Sequence, residues 1–218
     1  MMKKKIHFRH NISKYFFFNK KIKVGILGGS FNPAHHGHIH ISKIALKKLG
    51  LDEVWWLVSP QNRLKKLDTR STFETRINFS RKLTCKNKNI KVLDLEKNNK
   101  DFSTFKLLKL FKKKSRNTKF VWLMGSDNLI CFHNWINAQE ISKIFPVAVI
   151  ARPSYSYKAI NSLGANILGK RLDSINNNFF NSKKKSWIFI RGILNNISST
   201  KIRNLDTSLV NAKDKKNI

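Results

Sequence analysis

His35 and His38 flank Gly37 shortly after an apolar run that breaks into glycines, in Val24-Gly-Ile-Leu-Gly-Gly-Ser-Phe-Asn-Pro-Ala-His-His-Gly-His-Ile39. Residues three apart in the first turn of a helix lie on one face, so both imidazoles can donate hydrogen bonds to one phosphate group. Unpaired backbone N–H groups and the helix dipole at such a turn favour the same anionic ligand. The spacing therefore predicts a phosphate-handling turn.

A strand and a helix must position these histidines. The β-branched, apolar run Lys21–Leu27 predicts a buried parallel strand, after which Gly28 and Gly29 are expected to allow backbone conformations closed to other residues. A helix is predicted from Gly37 to near Gly50, because its apolar residues fall mostly on one face. These residues are Ile39, Ile41, Ile44, Ala45, Leu46 and Leu49.

A metal site is the alternative for the histidine cluster, which also contains His36 and His40. Zinc needs further thiolate, imidazole or carboxylate ligands at suitable spacing, and the nearest acidic residues, Asp52 and Glu53, lie beyond the helix. We therefore predict no metal site, and we expect His36 and His40 to be solvated.

The segment Gly28-Gly-Ser-Phe-Asn-Pro-Ala-His-His-Gly-His38 resembles the signature of bacterial nicotinate mononucleotide adenylyltransferases, within the His-x-Gly-His nucleotidylyltransferases. A second segment, Ile197-Ser-Ser-Thr-Lys-Ile-Arg203, is similar to that family's Ile-Ser-Ser-Thr-x-Ile-Arg. The resemblance covers roughly residues 21 to 206.

The resemblance implies roles for individual residues. It implies that His35, His38 and Arg203 are catalytic. The residues it implies for binding ATP phosphates are Gly28, Gly29, Ser30, Phe31, Lys65, Ser198, Ser199 and Thr200. Asn32, Asp127 and Trp135 would bind the mononucleotide, with Trp135 stacking on the pyridine ring; a tryptophan packed in the core is the alternative.

Three segments depart from the family pattern or allow a simpler explanation. Ser59–Lys65 lacks the family's Pro-Pro-His-Lys, so Lys65 could also be one more solvated lysine. Phe102–Lys106 is an eroded form of the family's Tyr-Thr-x-x-Thr, and we assign no catalytic role there. Arg76 lies on a helix that often bears an arginine near the site, although a surface arginine fits nearly as well.

Length and composition favour one α/β domain. The 218 residues suffice for a sizeable core, and we divide them into a basic N-terminal extension (1–20), a nucleotidylyltransferase domain (21–206) and a charged C-terminal tail (207–218). The extension could instead be a membrane-surface arm. No run is long enough to span a bilayer.

Cys85 and Cys131 form no Cys-x-x-Cys motif, which suits a reducing cytoplasm.

The net charge of +32 would ordinarily indicate a nucleic-acid partner. The excess is mostly lysine, spread along the chain and accompanied by many Asn, Ile and Phe residues, whose codons are A/T-rich. Genome-wide base bias explains such a charge, whereas phosphate-reading sites favour the planar fork of arginine. We therefore expect weak binding to polyanions at low salt but no specific nucleic acid.

Strand and helix patterns alternate along the chain. Strands are predicted at 53–58, 89–95, 119–124, 147–151 and 187–190, and helices at 72–83, 103–113 and 135–144, with loop and short helix in 154–185. This alternation predicts a Rossmann-like, doubly wound, mostly parallel sheet with helices on both faces, and ligands at the carboxyl ends of its strands.

Two anion sites at one sheet edge suit a triphosphate, and we find no convincing Ser-His-Asp or Cys-His nucleophile. Together with the resemblance, this predicts transfer of AMP from ATP to nicotinate mononucleotide, with Mg²⁺ held mainly by the nucleotide. The alternatives are a sister pantetheine-phosphate adenylyltransferase or cytidylyltransferase, or a basic nucleic-acid-binding protein with a decayed site. The preference for nicotinate over nicotinamide mononucleotide and the oligomeric state stay open.

Overall fold

A computed structural model of the chain describes residues 21–59, 71–95, 104–114, 117–153, 155–175, 179–181 and 186–192. Within these ranges the centre of the molecule is one sheet of seven strands. The strands are β1 (Lys23–Gly29), β2 (Glu53–Val58), β3 (Ile90–Leu93), β4 (Lys119–Gly125), β5 (Val147–Ile150), β6 (Lys170–Leu172) and β7 (Ser186–Ile190). Residues 1–20 and 207–218, which we assigned to an extension and a tail, lie outside the described residues.

The strand order is β3-β2-β1-β4-β5-β7-β6, and every pair of neighbouring strands is parallel. The chain therefore runs outward from β1 in one direction and then returns to build the other half of the sheet from β4. The carboxyl ends of the central strands lie side by side, since Gly29 pairs with Val58 and Gly125 pairs with Ile150. This topology confirms the predicted doubly wound parallel sheet.

Helices connect the strands. They are α1 (His36–Leu49), α2 (Phe73–Thr84), α3 (Thr104–Lys114), α4 (Ser126–Ile130), α5 (Ala138–Ile141), α6 (Ser156–Ile160) and α7 (Leu163–Leu168), with 3-10 turns at Phe132–Asn134 and Phe179–Asn181. Helix α1 ends where Gly50 adopts a left-handed conformation with φ 58°, and the Gly50 N–H donates to the Leu46 carbonyl. Such a glycine is a common helix terminator because it has no Cβ to clash.

The core consists of two buried layers, one on each face of the sheet. Buried side chains of α1 and α2, including Ile39, Ala45 and Ile77, pack on one face. Buried side chains of α3 to α7, including Phe111 and Leu129, pack on the other. Both faces of the sheet are thus covered by helices, as parallel sheets require.

Two parts of the secondary-structure prediction are wrong. The helix predicted at 135–144 is replaced by a 3-10 turn and the short helix α5, because Asn137 adopts a left-handed conformation with φ 61° that interrupts a continuous helix. The region 154–185 contains β6 as well as α6 and α7, so the described sheet has seven strands where we predicted six. None of the helices in the described ranges is both long and apolar enough to cross a membrane.

Candidate active site

The candidate site lies at the carboxyl ends of β1, β2, β4 and β5. The strand order reverses between β1 and β4, and the crevice outside such a reversal is where parallel α/β sheets bind ligands. Of the predicted site residues, 28 and 29 end β1, residues 30–32, His35 and His38 come after it, and Asp127 comes after β4. The topology therefore brings these predicted residues to one edge of the sheet.

The unusual backbone conformation that we predicted for Gly28 and Gly29 is wrong. They are the last two residues of β1, pair with Leu57 and Val58, and do not adopt a positive φ. A Cβ at Gly28 would overlap the ring of Trp122, so Gly28 is needed for close packing.

The unusual backbone conformation belongs to Phe31, which is buried and has φ 46°. A bulky residue rarely adopts this left-handed region, and it persists only where the surroundings hold it in place. Beside it, Asn32 accepts a hydrogen bond from the Ser71 hydroxyl. The sharp turn after β1 is therefore fixed by the packing of Phe31.

His35 and His38 hold the first turn of α1 through reciprocal capping. His35 is the N-cap residue, and its Nδ1 accepts the Gly37 N–H at 3.1 Å. The His38 Nδ1 accepts the His35 N–H at 3.2 Å, and the two ring centroids are 3.9 Å apart. We expected unpaired N–H groups here, but those of His35 and Gly37 bond to the imidazoles, so these two N–H groups are not available to an anion.

The capping bonds determine the tautomer of both imidazoles. A ring nitrogen that accepts a hydrogen bond carries no proton, so a neutral imidazole in this arrangement carries its proton on Nε2. Burial, with the positive charge of Arg152 and a smaller contribution from His36, lowers the pKa of His35 to about 4. His35 is therefore a neutral Nε2–H donor at pH 7.

Arg76 on α2 ties the turn after β1 to the end of β2. The residue is 6% exposed, and its Nη1 donates to the Ser30 carbonyl and, at 2.8 Å, to the Ser59 carbonyl. The surface position that we considered for this arginine is therefore wrong. The helix position alone could not distinguish the two, because the acceptors are backbone atoms distant in sequence.

Asp127 and Arg152 form an ion pair across the ends of β4 and β5, with Nη1 and Oδ2 3.0 Å apart. The Arg152 N–H donates to the buried Ser126 hydroxyl at 2.9 Å, which fixes the start of α4 beside β5. Asp127 Oδ1 is buried without a hydrogen-bond partner among the described residues. A Cβ at Gly125 would collide with this carboxylate, so the glycine makes room for it.

Sequence reasoning missed Arg152 as a site residue. Its charge acts on His35 and its guanidinium holds Asp127, so it links the β1 and β5 sides of the site. The available signal was its position directly after a buried strand, immediately before Pro153, at the carboxyl end where ligands bind.

Trp135 is half-buried and packs edge-to-face against two aromatic rings. The centroid of its ring is 5.4 Å from that of Phe132 and 6.3 Å from that of Trp122, whose own ring lies against Gly28. This packing is compatible with a core residue and with a ring whose open part faces a ligand.

The remaining predicted site residues, Lys65, Ser198, Ser199, Thr200 and Arg203, lie outside the described residues. We expected His36 and His40 to be solvated. His36 is exposed. His40 is half-buried and has an interaction partner, so this expectation is only partly met for it. In the described ranges no three His, Cys, Asp or Glu side chains come together in a way that could hold a metal ion.

Comparisons with known proteins show the family to which the chain belongs. The cytidylyltransferase-like family model matches residues 26–205. A protein of Agrobacterium fabrum named "Probable nicotinate-nucleotide adenylyltransferase" is 39% identical over 183 residues, which are 83% of this chain and 97% of the relative. The chain belongs to the nicotinate-nucleotide adenylyltransferase family. A relative of the same name from Parvibaculum lavamentivorans is 42% identical over 147 residues, which are 67% of this chain and 73% of the relative.

A solved structure shares the fold of this nicotinate-nucleotide adenylyltransferase family member. It is the Plasmodium falciparum nicotinic acid mononucleotide adenylyltransferase complexed with NaAD, with a TM-score of 0.62 at 20% identity over 84% of this chain and 83% of that one. At this identity the likeness concerns the fold alone. The sheet with its β1–β4 reversal is therefore a fold used by nicotinate-nucleotide adenylyltransferases.

Proposed function

We propose that this chain transfers AMP from ATP to nicotinate mononucleotide, a step in NAD biosynthesis. A phosphate oxygen of the mononucleotide attacks the α-phosphorus of ATP, and the bond from that phosphorus to the α,β-bridging oxygen breaks. Pyrophosphate leaves with the bonding electrons, and nicotinate adenine dinucleotide forms. The substrate supplies the nucleophile, so the protein needs only to align the two phosphates and neutralise charge as it develops.

The observation that carries this proposal is the side-by-side placement of His35 and His38 at the β1–β4 reversal, with ring centroids 3.9 Å apart. Their Nδ1 atoms accept backbone N–H groups, which fixes the orientation of both rings, and we propose that the Nε2–H of each ring contacts a phosphate oxygen. Two preorganised donors suit the phosphate oxygens on which negative charge builds up in the transition state.

The ATP phosphates would contact the turn formed by residues 28–31. We propose that Lys65 and the segment Ser198, Ser199 and Thr200 bind the same phosphates, and that Arg203 binds the leaving pyrophosphate through its two-pronged guanidinium. Arg76 supports this turn from behind, because it donates to the Ser30 carbonyl.

The mononucleotide would bind toward β4 and β5. We propose that Asp127 and Asn32 contact it through hydrogen bonds and that Trp135 stacks on its pyridine ring. The buried Asp127 Oδ1, which has no partner among the described residues, supports a ligand donor at this point, because an unpaired buried carboxylate oxygen is costly.

We propose that Mg²⁺ enters with ATP and is held mainly by its phosphates, as is common for this ion. We further propose that the protein acts in the cytoplasm, where the exposed thiols of Cys85 and Cys131 would stay reduced, and without a specific nucleic-acid partner.

Product identification tests the proposed function. The purified protein is incubated with Mg²⁺ and each pairing of ATP or CTP with nicotinate mononucleotide, nicotinamide mononucleotide or phosphopantetheine, and products are identified by mass spectrometry. We expect nicotinate adenine dinucleotide and pyrophosphate in equal amounts. A dominant cytidylyl or phosphopantetheine product, or no dinucleotide at all, would refute the proposal.

A further inference from the structure

Two neighbouring tryptophans on β2 are buried on opposite faces of the sheet. Trp55 packs with the layer that contains Phe111, and its indole N–H donates to Glu53 Oε2 at 2.7 Å. Trp56 packs with the layer that contains α1. The two side chains are alike in type, burial and use of the indole N–H, but only Trp56 faces the candidate site.

A hydrogen-bond chain connects Trp56 to the backbone of His38. The Trp56 Nε1–H donates to the Ser42 Oγ at 2.8 Å, and the Ser42 hydroxyl donates to the His38 carbonyl at 2.9 Å. A serine within a helix often bonds to the carbonyl four residues earlier. Ser42 is fully buried, and its oxygen also accepts the indole N–H of Trp56. Trp56 therefore fixes the orientation of the Ser42 hydroxyl.

Ring contacts connect Trp56 to the His38 imidazole as well. The Trp56 and His38 centroids are 5.7 Å apart in an edge-on arrangement. Phe31 contacts both rings, with its centroid 4.8 Å from Trp56 in a stacked geometry and 4.7 Å from His38. One buried indole thus restrains both the carbonyl and the ring of the same histidine.

We propose that Trp56 is a positioning residue that fixes His38 for phosphoryl contact, acting through Ser42 on the backbone and together with Phe31 on the imidazole. The inference rests on the proposed function, because it assumes that His38 contacts the reacting phosphates. Trp56 is fully buried, so in this proposal it acts through His38 and not on the substrate directly. Such support matters because a small misplacement of a catalytic group lowers the rate steeply.

The test compares Trp56→Phe with the matched control Trp55→Phe. Each substitution removes one indole N–H from a buried position on β2 and keeps an aromatic ring. We expect Trp56→Phe to lower kcat about tenfold or more while KM for both substrates stays within about twofold, and Trp55→Phe to leave kcat within about twofold. Equal kcat values for the two variants, at equal thermal stability, would overturn the proposal.

Ser42→Ala is the second variant, in case Trp56→Phe does not fold. We expect it to lower kcat as Trp56→Phe does, and the double variant to be no slower than the slower single variant, because both changes break one chain. Fully multiplicative losses would contradict a shared chain.

The ¹⁵N–¹H spectrum of the His38 imidazole gives a readout that is independent of activity. We expect Trp56→Phe and Ser42→Ala to shift the His38 signals and to leave those of the exposed His36 unchanged. Unchanged His38 signals in both variants would overturn the positioning role. A wild-type protein that makes no dinucleotide, with His38 signals still shifted in the variants, would instead count against the proposed function alone.

Discussion

His35 and His38 cap the same turn of α1 reciprocally, each imidazole Nδ1 accepting a backbone N–H of that turn. The bonds that hold the helix start therefore also fix the orientation of both imidazole rings. If the proposed function holds, removing either imidazole should affect folding and catalysis at once. Informative variants must replace the capping acceptor while they remove the imidazole, and asparagine at an N-cap or glutamine at the third helical position can do so.

The depressed pKa of His35 predicts a loss of stability in mild acid. The unfolded chain binds a proton at this imidazole near pH 6.5, whereas the folded chain does so only near pH 4. The free energy of unfolding should therefore fall as the pH drops from 6.5 to 4, by up to about 3 kcal/mol from this group. Urea unfolding across this range measures it. In His35→Asn the free energy of unfolding should decrease by correspondingly less between pH 6.5 and 4. A decrease as large as that of the wild type would exclude His35 as the cause.

Arg152→Met tests the link between the two sides of the site. Loss of the guanidinium should raise the pKa of His35, because one cause of its depression is removed. It should also raise KM for the mononucleotide, since Asp127 loses its ion-pair partner. An NMR titration of His35 and steady-state kinetics measure the two effects. Arg152→Lys, which keeps the charge, should retain more of the depression, and an unmoved pKa in Arg152→Met would contradict the link.

Gly28→Ala should destabilise the fold by about 1 to 3 kcal/mol, because the added methyl group overlaps the buried Trp122 ring. Gly29→Ala is the matched control. A Cβ there would meet Phe31 at 3.4 Å, an ordinary van der Waals contact, so we expect a change within about 0.5 kcal/mol. Chemical denaturation measures both variants. Equal stability of the two would show that the Trp122 contact does not require glycine at position 28.

Trp135→Ala should raise KM for nicotinate mononucleotide about fivefold and leave KM for ATP nearly unchanged, since stacking on one ring contributes about 1 kcal/mol. Its packing on Trp122 and Phe132 predicts some loss of thermal stability as well. Steady-state kinetics with each substrate varied in turn give the comparison. Equal increases in both KM values would make Trp135 a packing residue only.

Local pattern was sufficient to predict much of the fold. The apolar run at 53–58 and the amphipathic segment at 72–83 correspond to β2 and α2 within one residue, because their periodicity reflects burial directly. The proximity of His35 and His38 was also predicted, but for the wrong reason, because His35 is an N-cap residue with an extended backbone and the two side chains meet through reciprocal capping rather than helical spacing. The helix expected at 135–144 was not correctly predicted, because the left-handed Asn137 interrupts it without a local sequence signal as strong as Gly or Pro.

The parts of the site that were missed depend on contacts between residues distant in sequence. Arg152 acquires its role from Asp127, 25 residues earlier in the chain. Trp56 acquires its role from Ser42, 14 residues away on another element. The need for glycine at position 28 comes from Trp122, a partner on the adjacent strand, so local conformational preference suggested the wrong reason for it.

The measurement that tests the account most directly is the kcat of His38→Gln for nicotinate adenine dinucleotide formation. The thermal stability of the variant is measured as well and should equal that of the wild type. Glutamine keeps the capping bond to the His35 N–H and removes the imidazole. We predict a loss of at least about a hundredfold, the usual cost of one preorganised donor to transition-state charge, while His36→Ala retains the wild-type rate. A wild-type rate in His38→Gln would contradict the assignment of the histidine pair as the reaction centre.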